Sequence, residues 1–448
     1  MPYAMPAWNL DVPETRSAEA LPAVRPLRGL EGTQASLGGL HYVDLVVAEV
    51  TGAIASEALA RALRALIVRH PVLRQRIAAD PAQGFVAVDV GPTFELPIDG
   101  AIGAWHEIAE RCLNLPFSDT GPSWRLTVAR GVDRSHLLLG VHHALVDGRS
   151  LSALIEELLV AIDDPTALGG PLAPPPPALQ LARLPTWVGW VAPALRHTFA
   201  ARARWVQRTS PLPARRVAAD EAIPTVFAAR TLPEDAVQRL RDEARLQDAT
   251  VSGALIAAAW EATRRLGDRR GLGDLARRAS VEAMVDLRPL LPGAPDVGMY
   301  AGGVLALSGQ QHPSAWGRAA IATRQVHRQV SLGVPLLAHA AFDDLPDAGR
   351  WLRDNGVDLD ANGGAAAVTQ VSNNGPWGGP TQFGAHTLHG VWSATRAVRG
   401  GPALLVWLRT VNGVGHLSAI GNGAIVTRAQ LDGWLADVTR TLLTLADA

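Results

Sequence analysis

From His41 to Val50 the chain reads HYVDLVVAEV, dense in β-branched residues, and predicts a strand. Leu59, Leu63, Leu66 and Ile67 then recur at helical spacing behind Ser56, a suitable N-cap, and Pro71 stops the run. Phe85–Val90 predicts a short strand and Gly103–Asn114 a helix. Arg125–Arg130 and Ser135–His142 predict two strands joined by Gly131–Arg134. Beyond them Leu151, Leu154, Ile155, Leu158, Leu159 and Ile162 follow the i, i+3, i+4, i+7 rule of a core-facing helix, with Ser150 placed to cap it.

Gly169–Pro177, GGPLAPPPP, breaks the pattern, because four consecutive prolines favour an extended, semi-rigid linker. The chain divides there into a first domain over 1–170, a linker and crossover over 171–222, and a second domain over 223–448. Leu181–Val206 carries Trp187, Trp190, Trp205, His197 and several arginines. It predicts a crossover helix packed between the domains, Pro185 and Pro193 interrupting any clean amphipathic face. The alternative is a segment that lies on a membrane or shields a lipid acceptor.

The second domain predicts a strand at Thr225–Thr231, a helix from Glu234 and a helix capped by Thr250. A strand at Ala279–Asp286 follows, then helices at Ala315–Gln329 and Arg428–Leu443, with strands at Ala403–Arg409 and Gly415–Ile420. Strands and helices mix, and many connections read as hairpins. That predicts an α/β protein with an open mixed sheet covered by helices in each half, not a doubly wound parallel sheet.

Composition narrows the chemistry. At 448 residues and 48% hydrophobic, the chain suits two packed domains. A net charge of −1 without a basic run argues against nucleic acid as a partner. All 41 basic residues are arginine, which excludes Schiff-base and lysine-nucleophile chemistry. Cys112, the only cysteine, excludes an intrachain disulfide and a cysteine metal cluster, and is expected to pack in a helix. The start of the chain, with Asp11 and Glu14, lacks a signal pattern, and no apolar stretch is long enough to span a bilayer. A soluble, cytoplasmic protein is expected, with no membrane span.

The chemistry concentrates in Ser135–Ser150, SHLLLGVHHALVDGRS. Neighbouring side chains on a strand point to opposite faces, so His142 and His143 cannot both face one pocket. One can act as a base while the other is held in the structure. The same divergence disfavours a metal site, and a GxSxG nucleophile elbow is absent.

The spacing His142-His143-x-x-x-Asp147-Gly148 resembles the HHxxxDG motif of the chloramphenicol-acetyltransferase-like superfamily. That group includes peptide-synthetase condensation domains, plant BAHD acyltransferases, bacterial wax ester synthases and polyketide-associated acyltransferases. Arg25-Pro-Leu-Arg-Gly-Leu-Glu31 looks like the opening of the polyketide-associated branch. Arg69-His70-Pro71-Val72-Leu73-Arg74 and Pro116-Phe117-Ser118-Asp119 with Gly121-Pro122 look like further family segments. No DFGWG motif is present, which disfavours the plant branch, and Pro122-Ser123-Trp124 departs from the wax-synthase PLW element.

The resemblance implies two chloramphenicol-acetyltransferase-like domains with the active-site tunnel between them. It makes His143 the general base and His142 structural, Gly148 permitting a tight backbone and close substrate approach. Asp147, a candidate catalytic acid by position, is implied to pair instead with an arginine of the second domain, Arg288 in Val285-Asp286-Leu287-Arg288-Pro289. Val371-Ser372-Asn373-Asn374-Gly375 resembles a tunnel-lining stretch, with Ser372 and Asn373 as oxyanion donors and Trp377 as a wall.

The implied activity is acyl transfer from a CoA or carrier-protein thioester to a hydroxyl or amine of a lipid or secondary-metabolite acceptor. It needs no cofactor, acyl-CoA or acylated phosphopantetheine being the substrate, and a monomer suffices. Two further readings stay open. One is a free-standing condensation domain joining carrier-bound substrates, the other a non-catalytic recruiting domain.

Overall fold

The structure is a computed structural model that describes residues 23–80, 84–91, 94–118, 120–185, 187–209, 214, 217–218, 221–271, 280–306, 312–360 and 367–448. Asp11, Glu14 and Asp119 lie outside the described residues. Two six-stranded sheets dominate. The first runs Gln382–Phe383, His386–Thr395, Val43–Thr51, Arg134–His142, Trp124–Arg130, Ile98–Ala101, antiparallel except for its last pair. The second runs Ala301–Ala306, Val281–Asp286, Ala367–Pro376, Pro402–Val411, Val414–Asn422, Thr225–Leu232, with parallel pairs on both sides of Ala367–Pro376. A smaller sheet of Ala23–Pro26, Gly84–Asp89 and Gln75–Asp80 stands beside them.

The mixed sheets covered by helices agree with the sequence pattern, but the order of strands adds a crossing that the pattern does not show. His386–Thr395 pairs with Val43–Thr51 although more than 330 residues separate them, as the hydrogen bond between Thr51 and His389 illustrates (|i−j| = 338). The chain division at 170 and 223 therefore leaves two strands of the first sheet in the later segment.

Alternation along Val43–Thr51 explains the layers. Val46, Ala48 and Val50 join the core under the helices Ser56–Arg69 and Gly148–Asp163. Val43, Leu45 and Val47 join an apolar cluster that also takes Phe227, Leu405, Trp407 and Ile420 from the second sheet. That cluster cements the two halves.

Several local readings change. Helix Ser56–Arg69 starts without a side-chain cap. Ser150 does not cap its helix. Asp147 does, accepting the Ser150 amide hydrogen at 2.8 Å, because its carboxylate sits one turn ahead of that amide. The expected crossover helix starts after Pro185 and runs Trp187–Thr209 with Pro193 inside it. The helix after Glu234 starts at Ala236, and Thr250 caps the next as expected. Cys112 packs, buried, in helix Trp105–Asn114.

The two halves repeat one device. Trp124–Arg130 and Arg134–His142 form a hairpin that turns into helix Gly148–Asp163, and Pro402–Val411 with Val414–Asn422 turn likewise into helix Arg428–Ala446. In the first turn His142 Nδ1 accepts the Ala144 amide hydrogen, and in the second Asn422 Oδ1 accepts that of Ala424. Asp147 caps one helix and Thr427 the other. Where the first turn carries His143, the second carries Gly423.

Candidate active site

His142 ends the strand Arg134–His142 and His143 opens the turn that follows, and the two rings meet different neighbours. His142 is fully buried. Its Nε2 meets the Gly39 carbonyl at 3.0 Å and its Nδ1 meets the Ala144 amide at 3.1 Å. A carbonyl only accepts and an amide only donates, so His142 is the neutral Nε2–H tautomer. Burial pulls its pKa down to about 3, and the ring of Phe117 packs against it at 6.1 Å. An asparagine fills the same role in the second turn. Both ring nitrogens of His142 are thus spent on the backbone.

His143 is held differently. Its Nδ1 lies 3.0 Å from the Val146 carbonyl and 3.2 Å from Asp44 Oδ2. Both neighbours are acceptors, so Nδ1 carries the hydrogen, and Nε2 keeps its lone pair in the neutral ring. That hydrogen points at the carbonyl, since Asp44 Oδ2 has no well-aligned hydrogen-bond partner despite its closeness. The carboxylate therefore acts on the ring mainly through charge. Tyr42 meets the ring edge-on at 5.0 Å. Burial works to lower the His143 pKa, but Asp44, with help from the Val146 carbonyl and Asp147, carries it above the ordinary imidazole value. Burial likewise pushes the Asp44 carboxyl up, against the pull of the imidazole, so the two titrate as a pair.

Asp44 is a residue that the sequence reading passed over. Its signal was a single carboxylate inside an apolar strand, next to Val43 and Leu45, at 3% exposure. What the sequence lacked was the pairing that sets Asp44 opposite Val141, two residues before His143.

Asp147 is not placed as a catalytic acid. Its carboxylate accepts from the amides of Ser150 and Tyr300 and, at 3.0 and 3.2 Å, from both terminal nitrogens of Arg288. Arg288, just past strand Val281–Asp286, also reaches Asp286 and the carbonyls of Pro295 and Asp296. The pair pins the turn of the first half to the second. Gly148 begins the helix with ordinary backbone angles, and a Cβ there would meet Asn374 at 3.8 Å, a normal contact. The expected backbone need for glycine is absent at this position, although Gly148 does face the cavity.

Two cavities meet at the motif. One, about 440 Å³, has mostly apolar walls from both halves, including Leu37, Phe199, Leu305, Leu352 and Leu359, and takes in Tyr42, Asp44 and His143. Its polar members include Arg202 and Glu282, the latter accepting the Gln370 amide at 3.1 Å, with burial pushing its carboxyl above the ordinary value. The other, about 610 Å³, is more polar, with Arg149, Glu156, Asp286, Asn374, Trp377 and Arg409. Asp147, Gly148, Met284, Ala301 and Ser372 line both. A substrate reaching from one to the other passes the motif.

The Ser372–Trp377 stretch divides by strand parity. Ser372 faces the junction, its hydroxyl donating to Asn374 Oδ1 at 3.1 Å. Asn374 shares that face and donates to Ser393 Oγ at 2.9 Å, tying the second sheet to the first. Asn373, the expected partner of Ser372, directs its side-chain amide to Ser252 Oγ and accepts the Gly375 amide hydrogen, so it lines the polar cavity and not the junction. Trp377 walls the polar cavity, its indole donating to the Pro380 carbonyl, with the Arg409 guanidinium 5.8 Å above its ring. Arg409, unmarked in the sequence reading, donates to the Asn374 carbonyl and to Ser152, and burial lowers its pKa to about 10.

A family model described as "Condensation domain" matches residues 33–263, just over half of the chain. The chain belongs to that family. Among curated relatives, this condensation-family chain is 31% identical over 131 residues to the nonribosomal peptide synthetase kk1B of Curvularia clavata, a stretch covering 28% of this chain and 1% of that protein. It is 32% identical over 141 residues to the AMB antimetabolite synthetase AmbE of Pseudomonas aeruginosa, covering 28% of this chain and 6% of that one. The matched stretch is thus a small part of those relatives.

Solved structures share the fold along nearly the whole chain. The TRI3 trichothecene 15-O-acetyltransferase from Fusarium sporotrichioides matches with a TM-score of 0.69 at 13% identity, covering 94% of each chain. Polyketide synthase associated protein 5 from Mycobacterium tuberculosis gives 0.66 at 15% identity, over 95% of this chain and 98% of that one. The first condensation domain of the calcium-dependent antibiotic synthetase gives 0.60 at 19%, over 92% of each. The two-lobed architecture implied by the motif is therefore this chain's fold.

Proposed function

We propose that the chain is an acyltransferase that moves an acyl group from a CoA or carrier-protein thioester to a hydroxyl, or an amine, of a small-molecule acceptor, with His143 as general base. The observation that carries this is the placement of His143: Nδ1–H directed at the Val146 carbonyl with the Asp44 carboxylate beside it, which leaves Nε2 basic, at the wall of a cavity between the halves. The acceptor's proton passes to Nε2 as its oxygen or nitrogen attacks the thioester carbonyl. The C–S bond of the tetrahedral intermediate then breaks, and the departing sulfur takes the proton from the imidazolium. No acyl-enzyme forms. The Ser372 hydroxyl, at the junction, is the group suited to the developing oxyanion once it turns from Asn374.

The apolar walls around His143 favour a lipid-like or otherwise hydrophobic acyl or acceptor group. The test is thiol release from a panel of acyl-CoAs with alcohol and amine acceptors, repeated with acylated carrier protein. Turnover with CoA esters supports the free-standing acyltransferase. Turnover with carrier-bound substrates alone supports a condensation role, which the synthetase relatives favour. No release from any donor leaves a recruiting role.

Asp44 gives this reading a pH signature. The base works only when unprotonated, so activity falls as pH drops through the raised His143 pKa. Asp44→Asn removes the charge that raises it, and the acid limb of kcat/KM is expected to move to lower pH while the plateau falls. A limb at the same pH in native and variant would remove Asp44 from the mechanism.

A further inference from the structure

The crossover helix Trp187–Thr209 has two unlike faces. Val188, Ala192, Arg196 and Ala200 are buried, and Phe199, Arg202 and Ala203 line the apolar cavity that holds His143. On the other side Trp187 is 57% exposed, Trp190 87% and Trp205 51%. At about 100° per residue these three fall within one narrow arc, and Ala194, Thr198, Ala201 and Arg208 fill the same arc, all exposed. Among the described residues, every tryptophan in the set of exposed large hydrophobics lies on this helix.

An indole at 87% exposure is costly in water, and three along one arc, spread over roughly 25 Å at about 1.5 Å per residue, point to a surface that covers them. The surrounding charge says which kind. From Pro165 to Ala219 the sequence holds no Asp or Glu, in a chain of net charge −1. Arg183, His197 and Arg208 are exposed beside the tryptophans. Of the acidic residues on neighbouring segments, Asp344 is paired with Arg196, and Asp358 adjoins the C-terminal end of the helix, its backbone carbonyl accepting from Gln207. Aromatic rings flanked by arginines on a helix with a solvent-facing arc suit the boundary of an anionic bilayer, where indoles sit at headgroup depth and guanidiniums meet phosphate.

We propose that this face docks on an anionic lipid surface, with the helix lying along the headgroups. The same helix then forms both the contact with the lipid and one wall of the reaction cavity. This is peripheral association, since no helix among the described residues is long and apolar enough to cross a membrane. It stands whether or not the acyl-transfer reading holds.

The test is co-sedimentation of the full chain with phosphatidylcholine vesicles, with and without phosphatidylglycerol. Native protein is expected to pellet with the anionic vesicles, less with the neutral ones, and less again at high salt. The Trp187→Ser, Trp190→Ser, Trp205→Ser variant is expected to lose at least about tenfold in partitioning, at an unchanged Tm. Arg183→Gln with Arg208→Gln is expected to reduce the preference for anionic lipid. Native protein that stays in the supernatant with both vesicles overturns the proposal, as does a triple variant that pellets like the native chain. A native dimer in sedimentation velocity that the triple variant converts to monomer, without vesicle binding, would make the face a contact between copies instead.

Discussion

His143→Ala is expected to lower kcat for acyl transfer by about 10²–10⁴-fold, the range that a positioned general base contributes, with little change in stability. The ring is partly exposed at the cavity wall, and its removal leaves a small space there rather than an unpaired charge in the core. Asp44 is the neighbour most affected, since it would lose the imidazole beside it, so His143→Gln is the companion variant that keeps a donor near the carboxylate. Both variants should retain native Tm to within a few degrees and both should fail in thiol release. His142→Asn makes the contrast. Asn422 already performs the same amide contact in the second turn, so this variant should keep activity far better than His143→Ala. Equal rates for native protein and His143→Ala would sink the proposed base.

Breaking the Asp147–Arg288 pair is expected to be the largest single blow to stability. Both side chains are nearly buried, at 3% and 8% exposure. Arg288→Leu would leave the Asp147 carboxylate with only neutral donors, from Ser150 and Tyr300, at an expected cost of about 3–5 kcal/mol. Activity should fall as well, because Asp147 fixes the turn whose Val146 carbonyl orients His143. The double variant Asp147→Asn with Arg288→Leu removes both charges, and its loss should be well below the sum of the single losses. A double-mutant cycle followed by urea unfolding measures this coupling. Strict additivity would show that the pair does not join the halves.

Much of the chain's chemistry was legible in one dimension because it depends on short-range geometry. Strand parity alone separated His142 from His143, and the structure gives them different partners. The helix after the motif was readable from its apolar stripe, although its cap was not. Asp147 and Ser150 both suit an N-cap, and only the path of the turn decides which side chain lies one turn ahead of an amide. Pro193 was expected to interrupt any clean amphipathic face, yet packing of the buried face against helix Val334–Phe342, with Arg196 donating to the Ala341 carbonyl, holds one continuous helix through it.

The partners of the catalytic candidate were not legible, for lack of a local signal. Asp44 precedes His143 by nearly 100 residues, and only the pairing of Val43–Thr51 with Arg134–His142 brings them together. Asn373 and Asn374 are equivalent in composition, and strand phase sends one toward Ser252 and the other to the first sheet. The domain division suffered likewise, because no residue in His386–Thr395 announces that it will pair across the molecule.

By itself, then, the sequence determined most element types and the divergence of the two motif histidines, which follow from periodicities and spacings within a few residues. The tertiary structure alone decided which carboxylate faces His143, how the two cavities meet, and which face of the crossover helix remains in water. Those outcomes depend on contacts between distant segments, and burial sets their strength by removing the solvent that would otherwise screen them.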